Sequence, residues 1–349
     1  MNLLRAPRVV AALLMLVVPA ICDAQWWNPH STIPPGKLGM PGYTIQYDRR
    51  LQDQAVEAIV EAFHARDFAK LDRMHAEFLE MHRTGAAGSS MLEAFSTALT
   101  PVFMGSDRGA YQDFFAAWRE AAPESPLRPV AEGMSWWQQG WDARGHGSSS
   151  EVPPEAMRAF EADLGRAMKV LRDGEQAGRA TPLWYWAVVS VAGSMGTGRA
   201  VIDRVFEEGA TRLRLFMPLY DSRLNFLLPQ WGGDFAAVDR FVRAAVLRTQ
   251  ATEGTTLYAS LYAIVLERFL GNDFFRETRA SWKLLQHAYE EQVARGKADL
   301  NRYAAFACMA RDRETTADLL LRLGDKANLG EGLESFSTEA CAELAREGR

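Results

Sequence analysis

The chain has 349 residues, of which 48% are hydrophobic and 24% charged, and its formal charge is −5 at neutral pH. That balance excludes a disordered chain, a collagen-like repeat and a disulfide scaffold, and an acidic chain is a poor electrostatic match for nucleic acid. The length suits two domains or one elongated array, with enough chain to bury a sizeable core.

At the start of the chain, Arg5 and Arg8 precede an uncharged apolar run from Val9 to Val18, which Pro19 ends. Cys22-Asp23-Ala24 offers small residues at the −3 and −1 positions of a cut after Ala24. This pattern predicts a secretory signal peptide over 1–24, because the run is shorter than the roughly 20 residues of a membrane-spanning helix. An uncleaved anchor and a lipidated Cys22 are the alternatives, although Ile21 stands where lipidation favours a small residue. No later segment reads as a membrane span, so no membrane span is expected after cleavage. Residues 25–48 are rich in Pro and Gly and lack helical periodicity, which predicts an extended arm. Trp26, Trp27 and Tyr43 favour docking of that arm on the body.

From residue 49 onward helical periodicity dominates, and 49–349 is expected to form one helical-repeat domain. Leu51, Ala55, Ile59 and Phe63 form one apolar stripe; Leu71, Met74, Phe78 and Met81 form another, with a tight connection at Arg66-Asp67-Phe68. Thr100-Pro101, Ser125-Pro126 and Thr181-Pro182 read as helix starts, since the hydroxyl can accept an orphan N–H and Pro loses no needed donor there. The segment 145–154 (GHGSSSEVPP) is the clearest internal loop and the natural place to subdivide the domain. Ile202, Phe206 and Gly209 match Ala237, Phe241 and Ala244 at an offset of 35. Small-x-x-x-Phe-x-x-small is the second-helix half of a tetratricopeptide-like unit, whose period is about 34 residues, and Trp186 stands where the first-helix Trp belongs. The expected fold is therefore all-α, a tetratricopeptide-like, α-solenoid-like array of antiparallel helix pairs behind an extended arm.

After the expected cleavage only Cys308 and Cys341 remain, and they are 33 residues apart. A disulfide suits an oxidising compartment and would contribute about 3–4 kcal/mol in the chain-entropy picture. Two separately buried thiols are the other reading, since Cys308 lies in the apolar run YAAFACMA.

Several segments together resemble the bacterial domain of unknown function family 4034. They are HARDFAKLDRMHAEF (64–78), FAAWREAAPESPLRPVAEGMSWWQQGWDARG (115–145), LLPQWGGD (227–234), GTTLYASLY (254–262) and NRYAAFACMARDRETTADLLLRLG (301–324). The resemblance covers roughly residues 50 to 325, and the loop after Arg144-Gly145 is longer than the family pattern. It implies a tetratricopeptide-like helical array in an envelope-directed bacterial protein, periplasmic or secreted, and it implies no activity.

Candidate chemistry is sparse. Gly193-Ser-Met-Gly-Thr-Gly198-Arg199-Ala200 has the glycines of a phosphate loop, but Arg199 and Ala200 replace the Lys and Ser/Thr, and no strand precedes it. A tight turn between paired helices explains its glycines better. His64, His75 and His82 lack zinc spacing, so no metal is expected, and neither is a cofactor. No Gly-x-Ser-x-Gly elbow occurs, and Ser148 to Ser150 near His146 lie in a loop unsuited to a preorganised nucleophile.

The ten tryptophans are the strongest remaining signal. Trp137, Trp141, Arg144, Trp231, Asp234, Tyr258 and Tyr262 are the candidate residues of an aromatic groove; Asp234 also reads as a helix N-cap. Against this stands the packing role of large rings in helix–helix gaps. The expected function is binding of a protein or peptide by an exported, non-enzymatic helical-repeat protein. The alternative is an envelope glycan- or peptidoglycan-binding module, or a hydrolase, using the aromatic groove.

Overall fold

The computed structural model describes residues 49–346 except 86–89, 108, 146–149, 197, 214, 270, 272 and 331–336. The expected signal peptide and arm, with Trp26, Trp27 and Tyr43, lie outside the described residues, as do His146 and Ser148. Every regular element among the described residues is helical. The first group is α1 (Arg49–His64), α2 (Phe68–Thr84), α3 (Glu93–Phe103), α4 (Gln112–Ala121) and α5 (Leu127–Arg144). Then come α6 (Pro154–Asp173), α7 (Glu175–Gly178), α8 (Pro182–Ser194), α9 (Arg199–Arg212), α10 (Met217–Asn225) and α11 (Phe235–Glu253). The chain continues through α12 (Thr256–Glu267), α13 (Phe274–Glu277), α14 (Trp282–Ala294), α15 (Leu300–Met309), α16 (Arg313–Leu323) and α17 (Thr338–Arg346). None of these helices is long and apolar enough to cross a membrane.

The apolar stripes explain the first elements. Ala55, Ile59 and Phe63 are buried on α1, whereas Leu51 in its first turn is 46% exposed. Asp67 caps α2 by accepting from the Lys70 N–H at 2.9 Å. Thr181 Oγ1 accepts from the Leu183 N–H at 3.4 Å with Pro182 opening α8, as expected; Ser125 Oγ accepts from the Arg128 N–H at 3.1 Å, but there Pro126 precedes the helix, which opens at Leu127. Thr100-Pro101 is a correction: both residues lie inside α3, which starts at Glu93. Proline there forfeits one bond near the helix end, while Phe95, Leu99 and Phe103, all fully buried one turn apart, hold α3 through it.

α1 packs on α2 and α3, α3 on α5, and α5 on α6 and α8. The α5–α6 contact is the most extensive in the molecule, so the 145–154 loop joins two helices that pack on each other. From α8 the pattern is an array: α8 meets α9 and α10, α10 meets α12, α12 meets α11 and α14, and α15 meets α16 and α17. Phe206 on α9 and Phe241 on α11, the residues matched at an offset of 35, touch at 5.2 Å between ring centroids, with Tyr220 of α10 beside both. Gly209 allows α8 to approach α9; a Cβ there would stand 2.7 Å from the Tyr185 ring. Such contact between equivalent positions of successive units is what completes the core of a helical repeat. The fold is an all-α helical-repeat array. Cys308 on α15 and Cys341 on α17 are joined by a disulfide with a Cα–Cα distance of 5.6 Å.

Candidate functional site

α5 presents two stripes of side chains on different faces. The first is Trp137, Trp141 and Arg144. The Trp137 and Trp141 rings meet at 6.2 Å, Trp141 meets Trp231 at 6.0 Å, and Trp231 meets Phe226 at 5.3 Å. Phe160 of α6 backs Trp141 at 4.8 Å, and the Arg144 guanidinium lies over the Trp141 ring at 5.3 Å. Trp137, Trp141, Trp231 and Arg144 are each only partly buried. Three expected residues on one face of α5 are thus joined by Trp231, distant in sequence, in one aromatic row with Arg144 at its side.

The segment LLPQWGGD sets Trp231 in this row by two separate demands on glycine. Gly232 has φ of 73°, and at Gly233 a Cβ would fall 1.9 Å from the Leu227 carbonyl oxygen. The glycine-rich end of α8 borders the same row. Trp137 donates from Nε1 to Ser194 Oγ at 2.9 Å, and a Cβ on Gly193 would collide with the Phe226 ring. Arg199 donates to the Gly232 carbonyl. These glycines therefore seat rings and a turn. The indole N–H groups of Trp141 and Trp231 are buried and have no hydrogen-bond partner.

Other candidate residues are placed elsewhere. Asp234 lies three residues beyond Trp231, and its carboxylate caps α11 by accepting from the Ala237 N–H at 2.6 Å. Tyr258 and Tyr262 are corrections to the groove: they are 3% and 0% exposed. Tyr262 donates to Asp239 at 2.8 Å, and the Tyr258 hydroxyl accepts from the Ser281 N–H at 3.0 Å. Burial pushes both phenols above their ordinary pKa. Their α12 is apolar on nearly every face because helices pack round it, which is why its tyrosines went inside.

The second stripe of α5 is Glu132, Ser135, Trp136 and Gln139, which faces α4 across a cleft of about 190 Å³. Tyr111, Gln112, Phe115 and Arg119 form the opposite wall. Glu132 accepts from Arg119 at 3.1 and 3.2 Å and from Arg128 at 3.0 Å. Gln139 is fixed at both ends: its Oε1 accepts from the Gly109 N–H at 2.7 Å and its Nε2 donates to Ser135 Oγ at 3.0 Å. Sequence reading missed this cleft, which needs two helices. Within α5 the only trace of it is the polar stripe Glu132, Ser135 and Gln139 at i, i+3 and i+7, which does not place the opposing wall.

Three buried titratable groups with shifted pKa lie on other helices, α2, α3 and α12. Burial raises Glu93 to about 7, opposed by a hydrogen bond from the Met217 backbone N–H. Burial, helped by Arg83, lowers His75 to about 4, and its Nε2 lies 3.1 Å from Thr181 Oγ1. Glu267 is also raised to about 7 by burial, although Arg302 donates to it at 2.9 Å. Among the described residues no group of three or more His, Cys, Asp or Glu side chains is arranged to hold a metal ion.

No family model matches the chain, and neither a curated protein nor a solved structure matches it.

Proposed function

We propose that this chain is an exported, non-enzymatic helical-repeat protein that binds a protein or peptide segment in the bacterial envelope. The observation that carries the reading is the partly uncovered row Trp137–Trp141–Trp231–Phe226 with Arg144 at its side. Trp and Arg are the residue types that dominate binding energy at protein interfaces, because they combine large apolar area with directional polar groups. A helical array presents such a row on a stiff support, so little ordering is lost on binding. The signal-like N-terminus, the disulfide and the resemblance to the domain of unknown function family 4034 support the envelope setting.

The test is crosslinking in envelope extract with the wild type and with a Trp141→Ala/Trp231→Ala variant that keeps its helical circular dichroism. A defined partner crosslinked by the wild type and lost from the variant is expected. Identical crosslinks from both proteins, or none from either, would overturn the reading. A tryptophan fluorescence change with muropeptides, coupled with no protein partner, would move the assignment to glycan binding.

A further inference from the structure

The cleft between α4 and α5 is separate from the tryptophan row. Its volume of about 190 Å³ is below the roughly 300–1,000 Å³ of drug-sized sites and suits one amino-acid-sized group. Its polar inventory is biased toward donors. Gln139 has its amide held at both ends, the Tyr111 hydroxyl donates to the Val102 carbonyl at 2.9 Å, and Glu132 already accepts from two arginines. What remains to greet a ligand is Arg119, whose side chain is 56% exposed and which uses one terminal nitrogen on Glu132, together with the exposed Gln112 amide. A guanidinium held by a neighbouring carboxylate is preorganised for a second, incoming one. The rest of the wall is aromatic, from Tyr111, Phe115 and Trp136. The Trp136 ring is itself held by the Arg166 guanidinium at 4.9 Å, and Arg166 is anchored to the fully buried Asp163 at 2.9 Å.

We propose that this cleft binds a carboxylate on a short apolar body, with Arg119 pairing the carboxylate and the rings of Trp136 and Tyr111 flanking the body. The same chemistry occurs at the C-terminus of a peptide and in a free organic acid. The site does not depend on the tryptophan row, because at about 100° per residue the 132/136/139 stripe lies well round α5 from the 137/141/144 stripe.

Ligand-observed NMR titration of the full chain tests it with N-acetyl-Ala-Phe, the same dipeptide as its C-terminal amide, and hydrocinnamate. The free-acid dipeptide should saturate, and the amide should bind at least about tenfold more weakly, the loss of one charge-assisted contact. Arg119→Gln should weaken the acid by a similar factor while leaving the amide unchanged; Arg119→Lys should recover part of the loss. Arg128 still holds Glu132 in both variants, and unchanged thermal melting would show that the fold is kept. Hydrocinnamate binding as well as the dipeptide assigns a free acid as the ligand source, whereas a clear preference for the dipeptide assigns a chain terminus. Equal binding of acid and amide, no saturation by either acid, or indifference to Arg119→Gln would overturn the proposal. Binding of N-acetylglucosamine that ignores Arg119 would do so in favour of a sugar site.

Discussion

Two aromatic clusters in this molecule use the same residue types to opposite ends. Around Trp118, the rings of Phe63, Phe68, Phe114 and Phe115 close in from α1, α2 and α4, at 5.5 to 6.3 Å. Trp118 is fully buried, and its indole N–H donates to Asp72 at 3.2 Å. Along Trp137–Trp141–Trp231 the rings touch at similar distances, yet they are partly exposed and two indole N–H groups lack partners. A buried unpaired donor costs free energy that a core normally avoids. The first cluster is closed and satisfied, while the second leaves its rings partly at the surface with two donors unsatisfied.

The contrast is tested hardest by truncation. Trp118→Ala removes a fully buried ring packed against four others and one of the donors to Asp72, so it should cost about 3–5 kcal/mol in denaturant unfolding. Trp231→Ala should cost well under half of that, because its ring is already partly solvated. Equal losses would erase the distinction between the clusters.

The disulfide lies at the far end of the array, remote from both clusters. Replacing Cys308 and Cys341 together by Ala opens a loop of 33 residues and should lower stability by about 3–4 kcal/mol. The loss should appear as early melting of α15–α17, followed by hydrogen exchange, with the Trp118 cluster protected to higher denaturant.

A third effect separates the α2–α3 core from the surface row by pH. Glu93 has a pKa near 7 in the fold against 4.5 when free. The unfolded chain therefore loses that proton first, and stability falls as pH rises from about 4.5 to 7, by about 3 kcal/mol in all. His75 works in the opposite sense. Its folded pKa is near 4 against 6.5, so stability falls as pH drops from about 6.5 to 4. The two slopes oppose each other between about 4.5 and 6.5. Glu93→Gln should unmask the histidine, giving stability that rises with pH across that window, as read from urea midpoints at half-unit steps. A Glu93→Gln profile parallel to the wild type would show that burial of Glu93 does not govern the titration.

How much of this was legible beforehand follows from which interactions are local. The stripe Ala55, Ile59, Phe63, the caps at Thr181 and Asp234, and the Phe206/Phe241 repeat all depend on spacing within one or two helices, and sequence spacing expresses them directly. The Trp137–Trp141–Arg144 stripe was visible for the same reason. That Trp231 completes it, and that Tyr258 and Tyr262 do not, depends on how whole helices pack. Thr100-Pro101 misled because a hydroxyl before proline also fits the last turn of a helix whose buried face outweighs one lost bond. The α4–α5 cleft was out of reach because Arg119 and Gln139 meet only after the chain turns at Pro123–Pro126.

The smallest effect is the most discriminating. Phenylalanine at 118 and at 141 changes indole to phenyl, deleting an N–H and some ring area at both places. At 118 the deleted N–H was bonded to a carboxylate, so the loss should be about 1.5–3 kcal/mol, with a cavity contribution added. At 141 the deleted N–H had no partner, and removing its burial cost offsets the lost ring contact with Phe160, so the change should lie within about 1 kcal/mol of zero. Urea unfolding of the two variants side by side decides the matter. If Trp141→Phe costs as much as Trp118→Phe, the row is packed like the core, and its partial exposure has no bearing on binding. If Trp141→Phe is neutral in stability yet weakens partner crosslinking, the indole is held there for contact with another molecule.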